Sequence, residues 1–211
     1  MTNQFYQQKF IQREAPTQAL AKELLGYRLV SDLPSGRVAG WLVEVEAYLG
    51  KKDQAAHVYG GRRTPSLEAF YQAGGIWYIY TIHGHLGLNM ITQDKAQPEG
   101  ILLRAVEPCE GQEIMKARRG RGGRELTNGP GKMTQAFAVD KERDYGKPSW
   151  QAPLYIDFTA RREPQEIHRS PRIGIPNKGE WTEKPLRFSV AGNPYVSRFM
   201  GQAAKNNGWK V

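Results

Sequence analysis

A chain of 211 residues is long enough for one domain with a real core, at most with an insertion, and too short for several domains. With 39% hydrophobic residues and 10% aromatics it is built to pack, which excludes a disordered segment. Thirty Lys and Arg against 21 Asp and Glu leave a formal charge of +9, which fits a polyanionic partner such as nucleic acid and equally fits simple solubility. Cys109 is the only cysteine, so an intramolecular disulfide and Cys-based zinc or iron–sulfur sites are excluded, and a reducing compartment is expected. The N-terminal "MTNQFYQQKF" has no apolar signal core, and no run approaches the ~18 apolar residues of a membrane helix, so a soluble intracellular protein is expected.

In chain order, "APTQALAKELLG" predicts a helix. Pro16 suits its first turn, Leu20 and Leu24 share a face, and Gly26 closes it. "YRLV" predicts a strand and "LPSG" a turn, followed by the strand holding "VEVEAY". Residues 75–91, "GIWYIYTIHGHLGLNMI", read as two strands meeting near Gly84, with Tyr78 and Tyr80 on one face of the first. "GILLRAVEP" is a further strand, with Arg104 facing away from Leu103, and "PCEGQEIMKARRG" turns helical. "GRGGRELTNGPGKM" is a glycine-rich basic loop entering a helix near Pro130. "LYIDF", "RIGI" and "LRFSVAG" read as short strands, and the tail "FMGQAAKNNGWKV" as a frayed helix. Helices and strands mix without a βαβ rhythm, which argues for an α+β domain with a largely antiparallel sheet.

The chemistry concentrates in "VEVEAYLG". As a strand it alternates: Trp41, Val43, Val45 and Ala47 point one way, Glu44, Glu46 and Tyr48 the other. Either that second face meets water, or one acid does chemistry beside the ring. Glu44 takes the solvated reading; Glu46 differs through Tyr48, since a carboxylate beside an aromatic pocket can act as general base on water, and a free Glu is ionised at neutral pH. Tyr48, Tyr78 and Tyr80 are either core or flat walls on which a nucleobase stacks. "HGH" could open a metal site with Glu44 or Glu46, but there is no HExxH and no third ligand at a recognisable spacing. "TNGPGKM" is not a Walker A loop, because Met133 follows Lys132. It reads as an ordinary capped helix, with Asn128 capping and Pro130 starting it, or as a seat for one phosphate at Gly131 and Lys132. "KARRGRGGR" is a flexible basic stretch that either follows a phosphate backbone or is simply solvated.

Taken together, "LAKELLGYRLV", "VEVEAYLGKKDQAAH", "GGRRTP", "GIWYIY", "LLRAVEPCEG", "TNGPGKM", "RIGI" and "GEWTEKPLRFSVAGNPYVS" resemble the alkyladenine (3-methyladenine) DNA glycosylase family of base-excision repair over about residues 20–198. The resemblance implies one glycosylase domain over residues 1–211. It would be an α+β fold with a curved, largely antiparallel sheet, surrounding helices and a protruding DNA-inserting β-hairpin. It implies a monofunctional enzyme that flips alkylated or deaminated purines out of the stack and hydrolyses the N-glycosidic bond. By resemblance Glu46 is the general base, and Arg104 and the carbonyl of Ile173 hold the attacking water. Tyr48 covers one face of the flipped base, with Tyr80 and His57 on the other. The backbone N–H of His57 and the side chain of Asn89 reject normal adenine and guanine. His83 stands where the family has a wedge tyrosine, and Lys132 and Gly131 meet a DNA phosphate. The implied partner is double-stranded DNA carrying damaged purines, met by a monomer; no membrane, metal or organic cofactor is expected. The implied place is the cytoplasm of a bacterium, at the nucleoid, or a eukaryotic nucleus. Two other readings stay open: a noncatalytic nucleic-acid-binding module, and a metal-dependent nuclease built on His83 and His85.

Overall fold

The computed structural model describes residues 16–211, so the reading of "MTNQFYQQKF" lies outside the described residues. Its main elements are α1 (Thr17–Leu24), β1 (Tyr27–Leu33), β2 (Gly36–Tyr48), β3 (Trp77–Ile82), β4 (His85–Ile91), β5 (Gly100–Glu110), α2 (Gln112–Arg119), α3 (Pro130–Ala136), β6 (Leu154–Arg161), β7 (Ile167–Ser170) and β8 (Arg187–Val190). The strands form one curved, eight-stranded sheet in the order β3-β4-β5-β2-β1-β6, with β8 paired to β2 and β7 to β8. All pairs are antiparallel, as the sequence pattern led one to expect. The class is α+β.

β2 organises the sheet. It is 13 residues long and carries Val38, Trp41, Val43 and Val45, residue types that suit a pleated surface. β5 follows one edge from Ala39 to Tyr48. The other edge is shared: β1 pairs with residues 36–41, then β8 takes over opposite Glu44, Val45 and Glu46. The sheet therefore forks at Glu44. Helix α1 lays Leu20, Ala21 and Leu24 onto this core, all fully buried, and each leucine contributes about 1.5–3 kcal/mol. Gly26 after the helix is required by contact. Its φ is +89°, and a Cβ there would lie 1.8 Å from the carbonyl oxygen of Arg162. A second apolar cluster, with Ala56, Val58, Leu67, Phe70 and Tyr78, fills the space beside β3.

Three expectations are corrected. "RIGI" is a turn at Ile173 and Gly174, not a strand. Its backbone is turned away from the sheet and donates to a carboxylate instead, and Gly174 has φ +77°. The C-terminal tail is not a frayed helix: after a 3-10 turn over Lys205–Gly208, Trp209 is fully buried and its indole N–H donates to Glu107 Oε2 at 2.6 Å. "KARRG" is not a flexible stretch but, as the helical reading of "PCEGQEIMKARRG" had it, the end of α2, closed by Gly120 in the left-handed region, whose N–H donates to the Lys116 carbonyl at 2.8 Å. Arg118 and Arg119 in it donate to the carbonyls of Ala136 and Leu126 rather than lying free. Strand β7 and the 3-10 segment Pro65–Tyr71 were not anticipated.

Candidate active site

On the face of β2 carrying Glu44, Glu46 and Tyr48, the two acids do not meet water. Both carboxylates are 0% exposed, which overturns the solvated reading of Glu44. Burying a carboxylate costs several kcal/mol unless donors replace water, so the partners are decisive. Glu44 accepts from Arg104 Nε at 2.9 Å, Arg187 Nε at 2.7 Å and the Ser197 N–H at 2.6 Å. Glu46 Oε1 accepts from the Ile173 N–H at 2.7 Å and lies 3.2 Å from Arg104 Nη1. Its Oε2 accepts from the Tyr48 hydroxyl at 3.0 Å. Arg104 thus bridges both acids. Burial works against its cation, but Glu46 and Glu44 outweigh that and raise its pKa.

The strand register explains how Arg104 reaches them. Leu42 pairs with Val106 and Glu44 with Ala105, so Val43 has no partner across the ladder. Glu44 pairs with Ala105 and Val45 with Leu103, so Arg104 has none either. The two irregularities cancel in register and release Arg104 from regular alternation, which is how bulges re-aim a side chain.

Above the acids opens a pocket of about 670 Å³, lined among others by Tyr48, His57, Tyr80, Asn89, Arg104 and Ile173. Three of these are the donors that hold Glu46. Tyr78 and Tyr80 stack with centroids 5.9 Å apart and planes at 20°. Tyr80 lies over β4 because Gly87 sits opposite it; a Cβ there would come within 2.4 Å of the ring. His57 stands edge-on to Tyr80, centroids 4.7 Å apart, and its Nδ1 is 2.7 Å from the Tyr78 hydroxyl. Burial, then the charge of Arg62, lowers the His57 pKa, while burial raises those of Tyr78 and Tyr80. The wall is therefore uncharged at neutral pH. Asn89 donates to the Tyr78 carbonyl at 3.3 Å.

Tyr48 is the most constrained ring. Burial and then the Glu46 charge push its phenol pKa well up, so it remains a donor to Glu46. The Arg172 guanidinium lies 4.6 Å from its ring centroid. That guanidinium is fully buried, bonds both Asp53 oxygens at 2.5 and 2.9 Å, and also donates to the Ala47 carbonyl at 3.1 Å. Asp53 in turn accepts from the Leu49 and Ala55 N–H groups, each at 3.0 Å. One ion pair thus ties the strand end before Tyr48 to the turn that carries Ile173.

The surface elements are arranged differently. His83 and Gly84 form the two-residue turn between β3 and β4, with φ of 49° and 75°, and both are exposed with His85. Ile82 beside them is 49% exposed. Asn128 does not cap α3; the cap is Gly129, while Asn128 and Glu125 bind Lys132 Nζ at 2.9 and 2.6 Å. Gly131 packs against His85, where a Cβ would lie 2.9 Å from the histidine Cβ. Among the described residues no three His, Cys, Asp or Glu side chains gather as metal ligands, so His83 and His85 find no third partner there. Sequence reasoning missed Arg187, Asp53 and Arg172, and left Tyr78 undecided. The arginine inside the apolar run "ILLRAV" demands a buried counter-charge and so signals the burial of Glu44, but nothing local signals these other residues.

Comparison with known proteins agrees with the resemblance noted from the motifs. The family profile of methylpurine-DNA glycosylase matches residues 9–194. A provisionally named 3-methyladenine DNA glycosylase of Staphylococcus saprophyticus is 52% identical over 189 residues, covering 90% of this chain and 92% of its own. Relatives with the same provisional name in Enterococcus faecalis and Staphylococcus carnosus are each 47% identical, covering 92% and 95% of this chain and 86% and 98% of theirs. A match of this extent embraces the acids of β2, the aromatic pocket and the β3–β4 hairpin together, and the chain belongs to the methylpurine-DNA glycosylase family.

Proposed function

We propose that this DNA glycosylase flips an alkylated or deaminated purine out of duplex DNA and hydrolyses its N-glycosidic bond with a water activated by Glu46. The class of substrate is 3-methyladenine, 7-methylguanine, hypoxanthine and ethenoadenine. One observation carries the reading: Glu46 is buried and aimed by Tyr48, Arg104 and Ile173, and all three also line the aromatic pocket.

The base enters between Tyr48 and the Tyr80–His57 wall, where stacking on one ring is worth roughly 1–3 kcal/mol. A cationic alkylated purine is favoured further by the aromatic faces. Water, held by Arg104 and the Ile173 carbonyl, attacks C1′ as Glu46 takes its proton. The bond to the base breaks with its electron pair going to the purine nitrogen, and the carboxylate charge favours the oxocarbenium-like sugar. The strand stays intact. The His57 N–H and Asn89 discriminate against normal purines, and His83 holds the gap left in the stack. Lys132 and the N–H of Gly131 meet a phosphate.

Residues 1–211 act as one glycosylase domain and as a monomer. The cytoplasm of a bacterial cell is the place suggested by the bacterial relatives; among the described residues no helix is long and apolar enough to cross a membrane.

The test is an excision panel of the four lesions in duplex DNA, with and without EDTA, for wild type and Glu46→Gln. Release by the wild type regardless of EDTA is expected, with a loss of about 10²- to 10⁴-fold in the variant and lesion binding retained. Full release by Glu46→Gln would remove it from the role of base, and strand cutting abolished by EDTA would favour a nuclease instead.

A further inference from the structure

The geometry points to Glu44 as a positioning residue for the hydrolysis: it holds Arg104 and balances its charge, so that Glu46 remains available to take a proton from water. The inference rests on the proposed reading of Glu46 and Arg104. Glu44 bonds Arg104, Arg187 and the Ser197 N–H, whereas the pocket-lining Tyr48 and Ile173 bond Glu46, so Glu44 acts only through others.

The charge count supports it. Arg104 offers Nε to Glu44 and Nη1 to Glu46, and Arg187 completes a group of two carboxylates and two guanidinium ions. Without Glu44, Arg104 would serve Glu46 alone, and the group would carry a net positive charge. Such surroundings oppose both proton uptake by Glu46 and positive charge on the sugar. Glu44 is also fixed from three segments: Arg104 on β5, Arg187 on β8 and the Ser197 N–H in the loop after β8. Arg187 is anchored in turn, its Nη1 donating to Ser170 Oγ at 3.2 Å.

The groups facing Glu46 are Arg104, the Ile173 N–H and the Tyr48 phenol, with Tyr80 nearby and Arg172 behind the Tyr48 ring. Burial keeps both phenols neutral, and Arg172 is matched by Asp53. Beyond Arg104 itself, Glu44 and Arg187 are therefore the charges whose removal unbalances this cluster without removing a group that touches Glu46.

The experiment is single-turnover excision of hypoxanthine from duplex DNA across pH 5–9, with melting temperature and lesion-DNA affinity measured alongside. Glu44→Gln is expected to slow excision about 10- to 100-fold while affinity changes little. Its acid limb should move to lower pH by about one unit, because one negative charge fewer leaves the surroundings of Glu46 more positive. Arg187→Gln should move the limb the opposite way, and the double variant should return it towards wild type. Either single variant decides the matter if the other fails to fold. If neither folds, Glu44→Asp is read, which keeps the charge and shortens the reach; it should lose rate with the limb unmoved. A purely structural Glu44 predicts no limb shift in Glu44→Gln and Arg187→Gln, or wild-type rate in Glu44→Asp, and any of these overturns the proposal. Glu46→Gln is run in parallel. If it abolishes excision while the limb stays put in the other variants, only the Glu44 inference fails; if it excises normally, the assignment of the base fails first.

Discussion

Beneath the pocket, Glu44 and Glu46 are each held by donors from separate segments, whereas Lys132 on the helix rim sits at the surface with partly exposed partners from one neighbouring turn. The two regions use the same residue types with different consequences. In the first, removal of water makes each charge depend on its partners, so geometry is fixed before any ligand arrives. In the second, solvent screens the charge and leaves it available to a polyanion. The formal +9 therefore overstates the cations that face DNA. Arg118 and Arg119 hold backbone carbonyls, Arg143 holds Asp144 and the Ala138 carbonyl, and Arg172 holds Asp53.

The largest effect that would break this contrast lies at Arg172. Arg172→Gln leaves the Asp53 carboxylate buried without its cation, at 0% side-chain exposure. A loss of about 3–5 kcal/mol in urea unfolding is expected, together with weaker excision, since Tyr48 and Ile173 lose their common anchor. A loss of only a few tenths of a kcal/mol, as for an exposed pair, would mean the burial has no energetic consequence.

What could be read beforehand follows the same division. Elements with strong local patterns were legible: α1 from Leu20 and Leu24, and the hairpin from two apolar runs around His83 and Gly84. Glu46, Tyr48 and Tyr80 were singled out by the family motif, and the structure bonds the first two and places both rings at one pocket, but alternation alone put Glu44 in water. That error has a physical cause. A carboxylate's burial depends on partners 60 and 143 residues away, Arg104 and Arg187, which no local window contains. The paired bulges that turn Arg104 are likewise a property of two strands, not of either alone. "RIGI" failed as a strand because its β-like composition is overridden by tertiary bonds, from Arg172 to Asp53 and Ala47 and from the Ile173 N–H to Glu46.

A smaller effect is expected at the hairpin tip. His83→Ala should weaken lesion binding in duplex DNA about tenfold, corresponding to part of the few kcal/mol needed to unstack a base. Binding to the same lesion in single strands should change little. Ile82, half-exposed on the same tip, supplies apolar surface next to the imidazole, so the double variant should lose more than His83→Ala. Equal losses in duplex and single strand would remove the tip from the wedge role.

The smallest effect, and the sharpest discriminator for the rim, concerns Lys132. Its ammonium is bound by Glu125 and Asn128, and the hydrogen bond from Lys132, followed by that from Asn128, holds the Glu125 carboxyl below its ordinary pKa. Both side chains of the ion pair are partly exposed, so the pair itself is worth little, about 0–1 kcal/mol. If Lys132 meets a phosphate, Glu125 competes with the DNA for it. Lys132→Ala should then weaken binding a few-fold and reduce the salt slope by about one. Glu125→Gln should do the reverse, strengthening binding and steepening the slope, because a neutral amide releases the ammonium. If Lys132 instead only staples the 125–128 turn, both variants loosen the same contact. Affinity then falls in both, and the salt slope stays where it was.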